Sequence, residues 1–344
     1  MLKMDFIKID TSRISNLDYS LKREFIQVNE FGSYCYSTIT GINTRKYHGL
    51  LAVPQPRIDE NQHVFLSTIM EEVTIGQTLY ELGTQKYPGT YTPNGYHYII
   101  SVEVNPLHKI TYAIDHAILT KEILLLKAKN QILIRYTLAN SESDLILKLK
   151  PFLAFKNKHT LSKFNTSLNS EFKKVARGAS FKLYNSYDNL YLQVSSANNE
   201  FINNPDWYYN VEYSKEKERG YDYHEDLWVP GHFIVNLKND ESIIFSAGLD
   251  EVNPDTLKSN FSREAKKNKS LKNIEDCLTR AAKQFIIKRG KETDVIAGYP
   301  WFGRWGRDTF IALPGLTLSR GDTKTCKAVI DSIIIDLKGC LFPN

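Results

Sequence analysis

The chain has 344 residues, 42% of them hydrophobic and 24% charged, with a formal net charge of +5. A single hydrophobic core stops growing near roughly 250 to 300 residues, so two domains are expected of a soluble globular protein of ordinary composition. The charge is small and interspersed, which excludes a nucleic-acid partner; the one basic run, Lys266-Lys267-Asn268-Lys269, reads as a solvated helix face or linker.

In chain order, Met1 to Phe25 holds no unbroken apolar run of signal-peptide length, and no later segment reaches the ~18 apolar residues of a membrane span. No membrane partner is expected. Residues 1–248 read as β-structure, with short apolar or alternating runs between turn residues. Glu72–Ile75 and Thr78–Tyr80 flank Gly76-Gln77, a hairpin pattern, and Ile118–Ala128 and Ile132–Leu138 flank Lys129-Asn130-Gln131, another. Leu145–Leu149, Phe181–Tyr184, Leu190–Val194, Phe233–Leu237 and Ile243–Ser246 continue the series. Many short strands at close spacing argue a sandwich.

The pattern changes after Asn253-Pro254. Residues 249–272 are charged and polar and read as a linker helix, and Asp255–Lys288 holds no strand-like run. Ile274, Leu278, Ala281, Ala282 and Phe285 fall at helical spacing, with Gly290 as the helix stop. A Trp-rich loop follows, then a short helix Thr309–Leu318 containing Pro314. The stripe Ala328, Ile330, Ile333, Ile334 and Leu337 predicts a helix from Thr323 to Lys338. The cysteines, Cys35, Cys277, Cys326 and Cys340, form neither a C-x-x-C pair nor a zinc spacing, and no metal is expected; no cofactor is expected either. Isolated thiols suit a reducing compartment, and the reading is cytoplasmic.

The chemistry concentrates in Gly298-Tyr299-Pro300-Trp301-Phe302-Gly303-Arg304-Trp305-Gly306-Arg307-Asp308. Indole faces stack on the apolar faces of a pyranose ring. An adjacent arginine and aspartate offer a five-donor fork and an acceptor-only carboxylate to sugar hydroxyls. A purely structural Trp-rich turn is the competing reading. For Asp308 it is an N-cap role, opening the helix at Thr309.

From Ala297 to Leu316 this string resembles the start of the catalytic domain of bacterial and archaeal glycogen debranching enzymes, the amylo-α-1,6-glucosidase family. Gly41-Ile42-Asn43-Thr44-Arg45-Lys46-Tyr47-His48-Gly49-Leu50-Leu51 resembles that family's N-terminal signature. So does a third block, Trp207-Tyr208-Tyr209 through Glu218-Arg219-Gly220-Tyr221-Asp222 and Glu225-Asp226-Leu227-Trp228 to Pro230-Gly231. The resemblance implies a β + α fold: a large antiparallel β-sandwich over residues 1–248, a helical linker over 249–272, and over 273–344 the first helices of an incomplete (α/α)6 barrel. Twelve ordinary helices with their connections need roughly 216 residues, against some 75 after the linker.

The implied activity of the full-length protein is hydrolysis of α-1,6-linked glucose at the branch points of glycogen or another α-glucan, with 4-α-glucanotransferase activity in some members. The implied substrate-binding residues are Trp301, Trp305, Arg307 and Asp308. The general acid and base are expected beyond Asn344, so this chain is expected to be catalytically incomplete. The alternatives are an inverting α-glucan phosphorylase-like enzyme and an inactive carbohydrate-binding remnant. For Asn43, Arg45, Tyr47 and His48, and for Trp207, Glu218, Arg219, Glu225 and Asp226, a structural or domain-interface role is weighed against substrate contact. A metal site from His224, Glu225 and Asp226 would need consecutive residues to converge on one ion. The sequence specifies no oligomeric state.

Overall fold

The computed structural model describes residues 8–268, 271–339 and 341–342. Residues 1–7, Lys269 of the basic run, Cys340, Pro343 and Asn344 lie outside them. Among the described residues, the fold is mostly antiparallel β-sheet with some helices.

Two large sheets dominate. One has nine strands in the order Lys8–Asp10, Ile99–Glu103, His108–Ile114, Ala117–Leu125, Gln131–Ala139, Ser242–Gly248, Leu190–Val194, Gly178–Phe181 and Phe172–Val175. The other runs Asn199–Glu212, His224–Leu237, Leu145–Asn157, Gln62–Ile75, Gly49–Pro54, Tyr34–Thr38 and Glu24–Val28, with Thr78–Glu81 paired to Gln62–Ile75 as its eighth strand. Both sheets contribute to one buried cluster: Ile110, Leu119, Ile134 and Phe245 from the first, Leu51, Phe65, Leu147 and Phe233 from the second.

The burial pattern follows from strand geometry, since successive side chains point to opposite faces. In His108–Ile114 buried and half-buried residues alternate, as they do where one face meets solvent. The eight-stranded sheet is covered on both sides. Cys35, Leu51, Val53 and Phe65 enter the shared core. Their neighbours Tyr34, Tyr36, Ala52 and Val64 form a second cluster on the outer face, joined by Phe152 and Ala154. Tyr34–Thr38 is accordingly buried along its whole length.

Two motif glycines are required by close approach. A Cβ on Gly49 would meet Val64 Cγ1 at 2.7 Å. One on Gly231, which has φ +134°, would meet the Ile202 carbonyl oxygen at 2.0 Å. These glycines let neighbouring strands close up, which gives two of the motif blocks a packing role.

The hairpins expected at Gly76-Gln77 and at Lys129–Gln131 are present, with Ile75 opposite Thr78 and Leu125 opposite Ile132. Other expectations need correction. The Phe181–Tyr184 strand is Gly178–Phe181. The helix on the Ile274 stripe ends at Gln284, and Ile286–Arg289 is a strand that pairs with Glu292–Gly298. Gly290 is therefore the turn of a hairpin, at φ +63°, and not a helix stop. The Trp-rich segment is not a plain loop, because Phe302–Arg304 adds a third strand. The next helix is Gly306–Leu316, with Pro314 inside, so it starts three residues before Thr309. Trp305 holds the N-cap position, and Asp308 is not the cap. The last helix is Thr323–Ile333, extended by a 3₁₀ turn at Ile334–Asp336. Its buried stripe is Cys326, Val329 and Ile333, while Ile330 and Ile334 are exposed. No helix among the described residues is long and apolar enough to cross a membrane.

Helix Leu257–Lys267, in the segment read as a linker, is packed down. Leu257 and Phe261, one turn apart, are fully buried with Leu133 and Ile244 of the nine-stranded sheet. The Arg135 guanidinium lies 4.5 Å from the Phe261 ring centre. Truncating a buried phenylalanine removes its transfer energy and leaves a cavity. Phe261→Ala is expected to lower stability by about 3–5 kcal/mol, read as a shifted midpoint in urea denaturation.

Candidate functional site

The tryptophan-rich motif is placed by the small sheet of Ile286–Arg289, Glu292–Gly298 and Phe302–Arg304. That sheet is fastened to the β-rich part at two points. The Lys288 amide donates to the Glu30 carbonyl at 2.6 Å. At the other end, the turn residues Tyr299 and Trp301 pack on the outer-face cluster. Tyr299 lies edge-on to Tyr34 at 6.3 Å, and Trp301 edge-on to Tyr47 at 6.2 Å, with the Arg45 guanidinium 5.4 Å from the Trp301 ring.

The four expected site residues therefore divide. Trp301 faces Tyr47 and Arg45 and, like Arg307 and Asp308, does not line the cleft described below, which Trp305 does. Trp305, Arg307 and Asp308 stay together. The Arg307 guanidinium lies 5.8 Å from the Trp305 ring, and Arg307 Nη2 is 3.4 Å from Asp308 Oδ2. Asp308 sits in the first turn of its helix, where the dipole favours a carboxylate.

Trp305 and Gly306 line a cleft of about 600 Å3 between the motif and the β-rich part. One wall carries Phe31, Asp59, Glu60 and Lys158, the other Arg289, Asp294, Arg304 and Asp336. Asp294 is 3% exposed, with Arg289 Nε at 3.3 Å and Arg304 Nη1 at 3.4 Å. Burial raises its pKa above the usual carboxylate value, outweighing the two guanidiniums. Arg304 also reaches Asp336 at 2.6 Å. Lys158 is buried, donates to Gln62 Oε1 at 2.7 Å, and is lowered by burial to about 8. Asp59 accepts from the Asn61 amide at 2.7 Å and from Asn157 at 2.8 Å. Sequence reasoning gave no role to Asp59, Lys158, Asp294 or Asp336. They are scattered over some hundreds of residues, and only folding makes them neighbours.

The N-terminal motif is a support. Glu24 takes a hydrogen bond from Tyr36 and one from Arg45 Nε at 2.7 Å, with His48 Nε2 at 3.3 Å. His48 Nδ1 accepts from the Thr44 amide at 3.1 Å, which places the ring proton on Nε2, toward Glu24. Asn43 accepts from Ser37 and donates to Ser67. The cluster of Glu24, Arg45 and neutral His48 thus reaches Trp301 through Arg45.

The third motif block is also tied into hydrogen bonds. Glu225 is fully buried and receives Lys156 Nζ and the Ser162 amide, each at 2.7 Å, and the Tyr213 hydroxyl. Asp226 accepts from the Asn210 and Phe164 amides at 2.9 and 3.0 Å. His224 is 3.1 Å from Glu212. His224, Glu225 and Asp226 point to different partners and do not converge. Glu218 pairs with Lys215, Arg219 with Glu216.

The family described as "Glycogen debranching enzyme N terminal" matches residues 23–244. The chain belongs to the glycogen debranching enzyme family. The family described as "Amylo-alpha-1,6-glucosidase" matches residues 280–344. No curated protein matches the chain. Among solved structures, a bacterial glucoamylase complexed with acarbose is 14% identical, with 89% of this chain and 51% of that one covered at a TM-score of 0.44. A heparan sulfate lyase HepC mutant from Pedobacter heparinus is 14% identical over 50% of this chain and 22% of that one, at 0.26. A polysaccharide lyase is 11% identical over 68% and 33%, at 0.30. The chain spans about half the length of the glucoamylase.

Glu24 gives a pH prediction for this debranching-family chain. Burial works to raise its pKa, but the contacts from His48, Tyr36 and Arg45 prevail and hold it at about 2 instead of 4.5. The folded pKa lies below the unfolded one. The carboxylate's contribution is therefore complete above pH 4.5 and is lost as pH falls from 4.5 toward 2. The shift corresponds to roughly 3 kcal/mol. Glu24→Gln is expected to be less stable than the parent at pH 7 and to narrow that gap as the pH approaches 3, followed by thermal unfolding across pH.

Proposed function

We propose that this chain carries part of the substrate site of an α-glucan debranching glycosidase, whose full-length form hydrolyses α-1,6-linked glucose at branch points of glycogen. The proposed layout is a β-sandwich over 1–248, a helical linker over 249–272 and the opening helices of an (α/α)6 barrel from 273. The observation that carries the reading is the placing of Trp305 on the wall of the cleft, with Arg307 and Asp308 directly beyond it on the helix start. A cleft of about 600 Å3 is within the ordinary range of small-ligand sites.

In this reading Trp305 stacks on one face of a terminal glucosyl residue. Arg307 donates to its hydroxyls and Asp308 accepts from them. Trp301 acts from behind: held between Tyr47 and Arg45, it fixes the turn that aims Trp305. The cleft carboxylates Asp59, Asp294 and Asp336 are engaged with amides or guanidiniums, and we assign none of them as general acid or base.

The test is calorimetric titration with a maltooligosaccharide bearing a single α-1,6-glucosyl stub. Arg307→Ala and Asp308→Asn are each expected to weaken binding by roughly 10- to 100-fold, the cost of one or two lost hydrogen bonds to a charged group. Both side chains are substantially exposed, at 59% and 38%, so the fold is expected to survive. Unchanged affinity in both variants would remove them from the site.

A further inference from the structure

We propose a second saccharide-binding site, separate from the cleft, on a platform of Phe164, Trp207 and Tyr209. The nature of its ligand rests on the α-glucan reading above.

The platform lies on Asn199–Glu212, the edge strand of the eight-stranded sheet. Side chains alternate along a strand. Tyr208 packs on Phe152 of the outer-face cluster, with ring centres 4.6 Å apart. Trp207 and Tyr209 lie on the other side, 5.5 and 6.0 Å from the Phe164 ring, with Trp207 half-buried at the margin of the shared core and Tyr209 open to solvent. Phe164 and Tyr209 are each 50% exposed. Trp207 stands directly opposite buried Trp228. The two indoles line a groove of about 420 Å3 that also carries the polar side chains of Thr166, Ser170 and Asp206.

The backbone that carries two of the rings is held by one buried carboxylate. One Asp226 oxygen accepts from the Asn210 amide, next to Tyr209, and the other from the Phe164 amide. Asp226 is 8% exposed, and its own amide donates to the Ser162 carbonyl at 2.9 Å. Asn210 takes φ +57°, a left-handed kink that bends the edge strand beside the platform. Strand and loop are thereby tied to the same residue, so the backbone of the platform needs no ordering on binding.

Clustered aromatic faces beside uncharged hydroxyls and one carboxylate suit a ligand with apolar faces and a hydroxylated rim, which is a pyranose chain. The groove shares no lining residue with the cleft. A branched polymer presents many chain segments at once, so a second hold raises the effective concentration of chain ends at the first.

The experiment is native affinity electrophoresis in gels containing glycogen, on the parent chain, Phe164→Ala, Tyr209→Ala, the double variant and Trp305→Ala, with thermal unfolding measured on each. Phe164→Ala, in the groove, and Tyr209→Ala, on the platform beside it, are each expected to bind up to roughly tenfold more weakly, the size of one lost stacking contact, at an unchanged unfolding temperature. Phe164→Trp is expected to retain binding. Full retardation of the double variant overturns the proposal, and if Trp305→Ala alone loses retardation the cleft reading still stands. A parent chain that glycogen does not retard also overturns the groove, leaving the branched-oligosaccharide titration to decide the cleft by itself. Weakened groove variants beside an unaffected Trp305→Ala support the groove even where the cleft reading fails.

Discussion

The candidate site depends on the burial of two aromatic side chains, Tyr299 and Trp301, against the outer face of the eight-stranded sheet. A three-stranded sheet of such short strands has little stability by itself. It is held on one side by the helices, through Leu313, Cys326 and Val329 on Val295, and on the other by Tyr34, Tyr47 and their neighbours, where each aromatic buries enough surface to contribute on the order of a few kcal/mol. That docking also sets direction. Once Trp301 is seated on Tyr47, the short return strand Phe302–Arg304 carries the chain back, and Trp305 arrives at the cleft. The Glu24 cluster reaches the site through the same contact, since its Arg45 lies against the Trp301 ring.

Buried charge recurs through the β-rich part in a common pattern. Glu71, between the sheets, is held by Lys121 at 2.6 Å and the Tyr136 hydroxyl at 2.6 Å. Glu225 is held by Lys156 and Tyr213. Each carboxylate has one cation and one phenol, and each set joins strands far apart in sequence. Such groups add little net stability, because desolvation offsets most of the attraction, but leaving one unpaired costs about 3–5 kcal/mol. A register shift would strand every member of a set at once. The pairs therefore discriminate against misaligned sheets, where interchangeable aliphatic side chains would discriminate weakly.

Sequence was most readable where the determinant is local. Gly76-Gln77 marks its hairpin because the two strands begin beside it. The Ile274 stripe marks its helix, which Asn273 caps by accepting from the Asp276 amide at 2.8 Å. Gly290 misled because a left-handed glycine serves a helix end and a hairpin turn equally well, and which one applies depends on the strand after it. In Thr323–Ile333 the helix was readable, but its buried side was not: Val329 packs against Val295 and Leu313, a choice made by the neighbouring strand. The cleft was least readable of all. Asp59 and Lys158 come from one wall and Asp294 and Asp336 from the other, and no spacing rule links them. The motif showed where Trp305, Arg307 and Asp308 gather, and only the packing showed Trp301 seated against Tyr47 and Arg45.

Asp294 shows why a raised pKa need not mark a catalyst. Burial favours its protonated form, the state a general acid requires. Its two oxygens, however, already face Arg289 and Arg304. Protonation would weaken both contacts and leave two guanidiniums competing for what remains. A general acid must also be free to approach a leaving oxygen, with a partner carboxyl across the scissile bond. Clamped between two cations, Asp294 does better as an anchor. It orients Arg304, which ties the strand before Trp305 to Asp336 just past the last helix. The carboxylate thus braces the wall on which a sugar would stack, and its burial is the consequence of that bracing.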